Sequence, residues 1–267
     1  MKPITAPSAD PAADHALLTD AVRAAGAIAR DRFGTDIESW DKRPGHPVSA
    51  VDLEVDRILE ERLRGARPDY GWLSEESPDD GSRHTADRYW LVDPIDGTRA
   101  FLRGRPEFSV SVALIADGHP ILGIVYNPVT EEFYDAIAGG GARLNGEVAT
   151  VPDLAAVDGS HILVSRSEME KKGWGQVFND CRVEAVSSIA LKLARVAAGR
   201  ADATITLWPK NDWDIAAGDL LIREAGGVTL RPDGTDIEYN ADPPRHPGLI
   251  AAGARLAPAL QQRVQRL

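Results

Sequence analysis

The chain has 267 residues, 43% of them apolar and 27% charged, which is enough to bury a sizeable core and argues against disorder over most of its length. Acidic residues outnumber basic ones 41 to 30, and the resulting net charge of -11 disfavours binding to a nucleic-acid polymer. Cys181 is the single cysteine, which excludes an intrachain disulfide and a thiolate zinc cluster.

Residues 1–14, rich in Pro, Ala and Asp, read as a flexible tail without the basic start and apolar run of a signal peptide. No apolar stretch is long enough to cross a bilayer, so no membrane span is predicted and a cytoplasmic location is expected. Leu17, Leu18, Ala21, Val22, Ala25, Ile28 and Ala29 recur at helical spacing and predict a helix over 15–33. Val51, Val55, Ile58, Leu59 and Leu63 predict a second helix starting near Ser49. Short strands are expected over 70–73 and 88–92, the first delivering Ser74, Glu75 and Glu76 and the second stopping at Asp93-Pro94. Strands over 108–115, 121–126 and 132–137, punctuated by Asp117-Gly118 and Asn127-Pro128, predict antiparallel neighbours.

Beyond Pro152 the pattern becomes strand, helix, strand, helix: 161–164, 188–198 closed by Gly199, 203–207, and 213–225 closed by Gly226-Gly227. The fold class expected is mixed α/β (α+β). An N-terminal subdomain over 15–150 pairs two helices with a mostly antiparallel sheet and holds most candidate ligands. A smaller C-terminal α/β subdomain over 151–267 contributes Asp214 and the substrate-contacting residues.

The most informative segment is WLVDPIDGTRAF, residues 90–101. An apolar strand ends in Asp93, Pro94 fixes the turn, Asp96 adds a second carboxylate, Gly97 permits a tight backbone and Thr98 supplies a hydroxyl. Two carboxylates on one turn can converge on a point where a cation offsets their repulsion. An isolated D-x-x-D reads better as an ordinary capping turn with Asp96 as the N-cap of a helix. Glu75 and Glu76 at a strand end, Asp52 in PVSAVD and Asp214 in WDIAAGD are further acids at element ends, each with its own solvated or helix-start explanation. Together they favour an oxygen-only cation site suited to Mg²⁺ or Mn²⁺. No P-loop and no G-x-S-x-G elbow is present, and the six histidines are scattered.

These motifs resemble the inositol monophosphatase superfamily, whose hallmarks are D-P-[IL]-D-G-T and a later W-D-x-A-A-G. Here they stand as Asp93-Pro94-Ile95-Asp96-Gly97-Thr98 and Trp213-Asp214-Ile215-Ala216-Ala217-Gly218, preceded in order by PVSAVD (47–52) and SEE (74–76). The resemblance runs from about Leu17 to the C-terminus. It implies a layered αβαβα sugar-phosphatase fold with the ions between two subdomains. It also implies that Glu75, Asp93 and the Ile95 carbonyl hold one Mg²⁺, and that Asp93, Asp96 and Asp214 hold a second. Glu75 would help place a weaker third, a catalytic role beside Thr98 and Asp52, which would orient and deprotonate the attacking water. Backbone N–H groups of Gly97 and Thr98 would hold phosphate oxygens. A homodimer acting on a small phosphate ester is what such relatives suggest, with a non-catalytic metal- or phosphate-binding protein as the alternative of another class.

Within that superfamily, residues 106–129 (PEFSVSVALIADGHPILGIVYNPV) resemble the bacterial 3'(2'),5'-bisphosphate nucleotidases, which act on 3'-phosphoadenosine 5'-phosphate. Lys192, Pro209 and Asn211 fit the same pattern, and Leu207 stands where inositol phosphatases carry a sugar-binding Glu. Lys192, Lys210 and Arg166 are candidates for a second phosphate, with plain surface charge as the other reading. Ser187, Ser188 and Asp214 are candidate substrate contacts. Inositol-1-monophosphatase and histidinol-phosphatase are the alternative activities.

Overall fold

The computed structural model describes residues 10–171 and 173–267. Helix α1 (Pro11–Arg32) starts earlier than its apolar periodicity suggests. Asp10 accepts the Ala12 N–H at 2.9 Å, and Pro11 sits in the first turn, where a missing N–H is harmless. Asp14, assigned by sequence to the tail, is fully buried and accepts from Arg67 Nε at 2.6 Å and Tyr70 Oη at 2.8 Å. A buried carboxylate with two strong donors anchors this turn, so residues 10–14 belong to the folded part. The rest of the expected tail, 1–9, lies outside the described residues.

A hairpin of β1 (Ser39–Arg43) and β2 (His46–Ser49), which the sequence reading missed, leads into α2 (Ala50–Ala66). Ser49 and Asp52 form a reciprocal capping box at its start. Seven strands follow in one sheet: β3 (Gly71–Ser74), β4 (Arg88–Asp96), β5 (Ser109–Ala116), β6 (His119–Asn127), β7 (Glu132–Ile137), β8 (Gly141–Leu144) and β9 (Glu147–Val148). Only β3 and β4 run parallel within it. One turn of helix, α3 (Thr98–Phe101), separates β4 from β5.

Alternate residues of the central strands serve two cores. Trp90, Val92, Val110, Val112, Leu114, Leu122 and Ile124 face α1 and α2, while Tyr89, Leu91, Ala113, Ile115 and Val125 face the other side. Both faces of the sheet are therefore covered, which is why these strands read as continuous apolar runs.

The C-terminal half contributes β10 (His161–Val164), α4 (Arg166–Lys171), α5 (Trp174–Val177), β11 (Arg182–Ala185), α6 (Ile189–Ala197) and β12 (Ala203–Thr206). Then come β13 (Lys210–Asn211), α7 (Asp212–Glu224), β14 (Gly227–Leu230), β15 (Arg245–His246), β16 (Leu249–Gly253) and α8 (Leu256–Val264). Five of these strands form a mixed sheet in the order β11-β10-β12-β16-β14. Helices α6 and α7 are buried between the two sheets, and α5 and α8 cover the outer face of the second. The result is a layered αβαβα architecture.

Gly218, the last residue of WDIAAG, lies where α7 crosses α6. A Cβ there would stand 2.5 Å from the Leu193 Cβ, so only glycine allows this approach. Gly218→Val is expected to destabilise the protein by about 3 kcal/mol or more, read as a lower urea midpoint. An unchanged midpoint would show that the two helices separate at little cost.

Candidate active site

The alternation of a β-strand would send residues three apart to opposite faces. Strand β4 avoids this through a bulge: Asp93 pairs with Ser111 and Asp96 with Ser109, so three steps on β4 meet two on β5. Pro94, which has no N–H to offer a neighbouring strand, sits inside the bulge. Asp93 and Asp96 are thereby both turned into one cleft of about 410 Å³.

Glu75 reaches the cleft from the end of the parallel neighbour β3, where its N–H donates to the Val92 carbonyl at 3.1 Å. Asp214 arrives from the first turn of α7. One of its oxygens accepts the Asn211 N–H at 2.7 Å, completing a capping box. One oxygen each from Glu75, Asp93 and Asp214 lies within 4.8 Å of the others. Asp93 Oδ1 is buried with no hydrogen-bond partner among the described residues.

Like charges this close cannot all ionise without compensation. Burial, then the carboxylates of Glu75, Asp96 and Asp214, push Asp93 well above the usual carboxylate range. Burial also raises Asp214 to about 7, with Glu75 and Asp96 adding to the shift and Lys210 opposing it. Burial likewise raises Glu76 to about 7, although Lys42 works against it. Lys42 Nζ donates to Glu75 at 3.0 Å and to Glu76 at 2.7 Å, a contact with no sequence signal. The orphaned Asp93 oxygen and an all-oxygen donor set fit a hard divalent cation.

Asp96 opens into the same cleft but stands outside the tight group of three. Its Oδ2 accepts from Ser188 Oγ at 2.6 Å and from the Ala190 N–H at 2.6 Å, both at the N-terminus of α6. The helix that Asp96 caps is therefore α6, far along the chain, and not the turn that follows it. Ser188→Ala is expected to lower kcat/KM about 10-fold, since Asp96 is a candidate ligand and the partners that orient ligands matter at that level, and to cost about 1 kcal/mol as a lost N-cap. A variant that loses stability but keeps full activity would show that Asp96 is held without Ser188.

Gly97 adopts φ +101°, and a Cβ there would stand 2.8 Å from the Glu107 carbonyl oxygen, so glycine is required twice over. Thr98 Oγ1 lies 2.9 Å from Asp52 Oδ1 and 3.1 Å from the Ile95 carbonyl, and its single proton serves one of them. The other Asp52 oxygen accepts from Ser49 N–H at 2.9 Å. Burial raises Asp52, with the Ser49 and Thr98 hydrogen bonds opposing.

Residues 12–266 match the inositol monophosphatase family. The chain belongs to that family. It is accordingly a hydrolase of phosphate monoesters, in a family that is generally metal-dependent. An inositol-1-monophosphatase of Rhizobium meliloti is 36% identical, over 94% of this chain and 95% of its own length. A protein of Thermotoga maritima named fructose-1,6-bisphosphatase/inositol-1-monophosphatase is 34% identical over 77% of this chain and 79% of its own. Among solved structures, a Thermotoga maritima IMPase superposes with a TM-score of 0.84 at 29% identity, covering 96% of this chain and 98% of that one. No helix among the described residues is long and apolar enough to cross a membrane.

Two expected substrate contacts are placed elsewhere. Lys192 is 1% exposed and does not line the cleft. Its apolar helix α6 carries it into the interior, where burial lowers its pKa to about 8, with Lys210 adding to the effect. It is therefore not surface charge. Ser188 is buried as well, its hydroxyl consumed by Asp96. Ser187, Lys210, Arg166, Gly97, Thr98 and Asp214 do line the cleft. So do Arg99, Arg103 and Arg105, which the sequence reading passed over although RAFLRGR directly follows DPIDGT.

Proposed function

We propose that this protein is a Mg²⁺-dependent phosphomonoesterase for a small, soluble phosphate ester, with the cations held by Glu75, Asp93, Ile95, Asp96 and Asp214. The observation that carries this reading is the convergence of Glu75, Asp93 and Asp214 around an unpartnered Asp93 oxygen. Bound divalent ions, Mg²⁺ or Mn²⁺ and two or three in number, supply Lewis acidity toward water, the phosphoryl oxygens and the leaving oxygen.

The chain's own residues do the positioning. When Thr98 Oγ1 donates to Asp52, its lone pairs face the cleft and accept a hydrogen from the attacking water. That choice also leaves the Ile95 carbonyl free as a ligand. The water proton passes to Thr98 as Thr98 releases its own to Asp52, whose raised pKa suits it to receive a proton. In-line transfer then needs alignment and charge neutralisation more than covalent chemistry. Gly97 and Thr98 N–H groups are assigned to phosphate oxygens, and Ser187 and Lys210 to the remainder of the substrate.

Two finer readings compete. Similarity over 106–129 favours a 3'(2'),5'-bisphosphate nucleotidase, but the burial of Lys192 removes one of its supports. The names of the relatives favour inositol 1-phosphate. Leu207 offers no hydrogen bond to a sugar hydroxyl, which weakens strict inositol selectivity. Phosphate release from both esters, with Mg²⁺ and with chelator, ranks the two by kcat/KM. No Mg²⁺-dependent release from any small phosphate ester would refute the proposal. The homodimer implied by the resemblance is checked by light scattering.

A further inference from the structure

The acidic end of the cleft accounts for the reacting phosphoryl group, but the same cleft is also lined by Arg99, Arg103, Arg105, Arg166 and Lys210. In a chain of net charge -11, so many cations around one cavity need an explanation. Elsewhere the arginines are mostly held by carboxylates, as Arg67 is by Asp14 and Arg195 and Arg200 are by Glu132. Arg103, Arg105 and Arg166 have no such partner among the described residues, although Glu170 lines the same cleft. Arg99 is tied to the Gly45 carbonyl of the β1–β2 turn, and Lys210 faces Asp96 and Asp214. The uncommitted cations are thus Arg103, Arg105 and Arg166.

The backbone that carries them is fixed. The N–H groups of Arg103 and Arg105 both donate to the Ala100 carbonyl, at 3.0 and 2.9 Å, and Asn127 Nδ2 donates to the Pro106 carbonyl at 2.6 Å. Arg166 begins α4, which is pinned by the fully buried Glu168. That carboxylate accepts from Thr206 Oγ1 at 3.0 Å, from the Trp208 N–H at 3.2 Å and from Ser165 Oγ at 2.8 Å. Three exposed arginines without a carboxylate partner among the described residues thus line the cleft from hydrogen-bonded backbone, an arrangement suited to planar oxyanions.

We propose that Arg103, Arg105 and Arg166 form a subsite for a second anionic group, phosphate or carboxylate, so that the substrate class is a small phosphate ester bearing another anion. This inference rests on the phosphomonoesterase reading above. Two matched pairs test it: glycerol 2-phosphate against glycerate 2-phosphate, and adenosine 3'-phosphate against adenosine 3',5'-bisphosphate. In each pair only the second anion differs, so the pairs separate carboxylate from phosphate.

The member with the second anion is expected to have at least about 10-fold higher kcat/KM in one or both pairs, roughly 1.4 kcal/mol, with the advantage shrinking as salt rises. Arg103→Glu, Arg105→Glu and Arg166→Ala should each drive that ratio toward one, and Arg103→Lys and Arg105→Lys should restore part of it. Equal losses on both members of a pair would overturn the subsite. Hydrolysis of all four esters without preference would overturn it while leaving the phosphatase reading intact. No Mg²⁺-dependent release from any of them would overturn both.

Discussion

Asp93→Asn is expected to lower kcat/KM by about 10³-fold or more, roughly 4 kcal/mol of transition-state stabilisation, because it removes a buried carboxylate whose Oδ1 is left for a cation. Asp93 is the one member of the Glu75–Asp93–Asp214 group that is fully buried, and its Oδ1 has no other partner. The same substitution removes a negative charge from a repelling cluster. The metal-free variant should therefore melt a few degrees above metal-free wild type at pH 8, while the rise in Tm on adding Mg²⁺ disappears. Steady-state kinetics and thermal melts with and without Mg²⁺ measure the two effects. A variant within 10-fold of wild type, or one with an unchanged Mg²⁺ shift, would remove Asp93 from the centre of the site.

A second large effect is expected from pH. Asp214 and Glu76 stand at about 7 in the folded protein, against ordinary values of 3.8 and 4.5, because burial disfavours their charged forms. Their folded pKa values lie above the unfolded ones. Their contribution to stability is thus complete below the unfolded values and is lost as pH rises through about 7. Metal-free protein should lose stability between about pH 4 and pH 8, and Mg²⁺ should restore it at the upper end.

Cation binding requires Asp214 deprotonated, so Mg²⁺ affinity should rise across pH 6–8 by up to about 10-fold per pH unit for each proton released. Lys42 adds to the competition, since its ammonium bridges Glu75 and Glu76 and must yield a Glu75 oxygen to an incoming ion. Calorimetry in buffers of differing ionisation enthalpy counts the released protons. A flat Mg²⁺ affinity from pH 6 to 8 would mean that the carboxylates are already ionised in the metal-free protein.

Much of the fold was readable because the helices and inner strands are amphipathic or fully apolar at their own periods. The helix starts at Ser49 and Ser188 and its end near Ala225 follow from capping chemistry within a few residues. The hairpin at 39–49 and strands β8, β9, β11, β14 and β16 went unseen, being exposed, very short or rich in small residues that carry little periodic signal. The candidate ligands were legible for a related reason: Asp93 and Asp96 close an apolar strand and Asp214 opens a helix, and adjacent residues mark both kinds of end.

The chain alone determined the family, the layered class and which carboxylates end strands or begin helices, since local pattern and motif carry that information. Tertiary structure decided what those groups meet. The bulge against β5 turned Asp93 and Asp96 into one cleft, α6 claimed one oxygen of Asp96 through Ser188, and burial of the same helix withdrew Lys192. Arg103, Arg105 and Arg166 line one cavity only because segments about sixty residues apart in the sequence close on it. Periodicity reports which face of an element is apolar. It carries no record of which other element will cover that face, and the charge and dielectric of a site depend on that pairing.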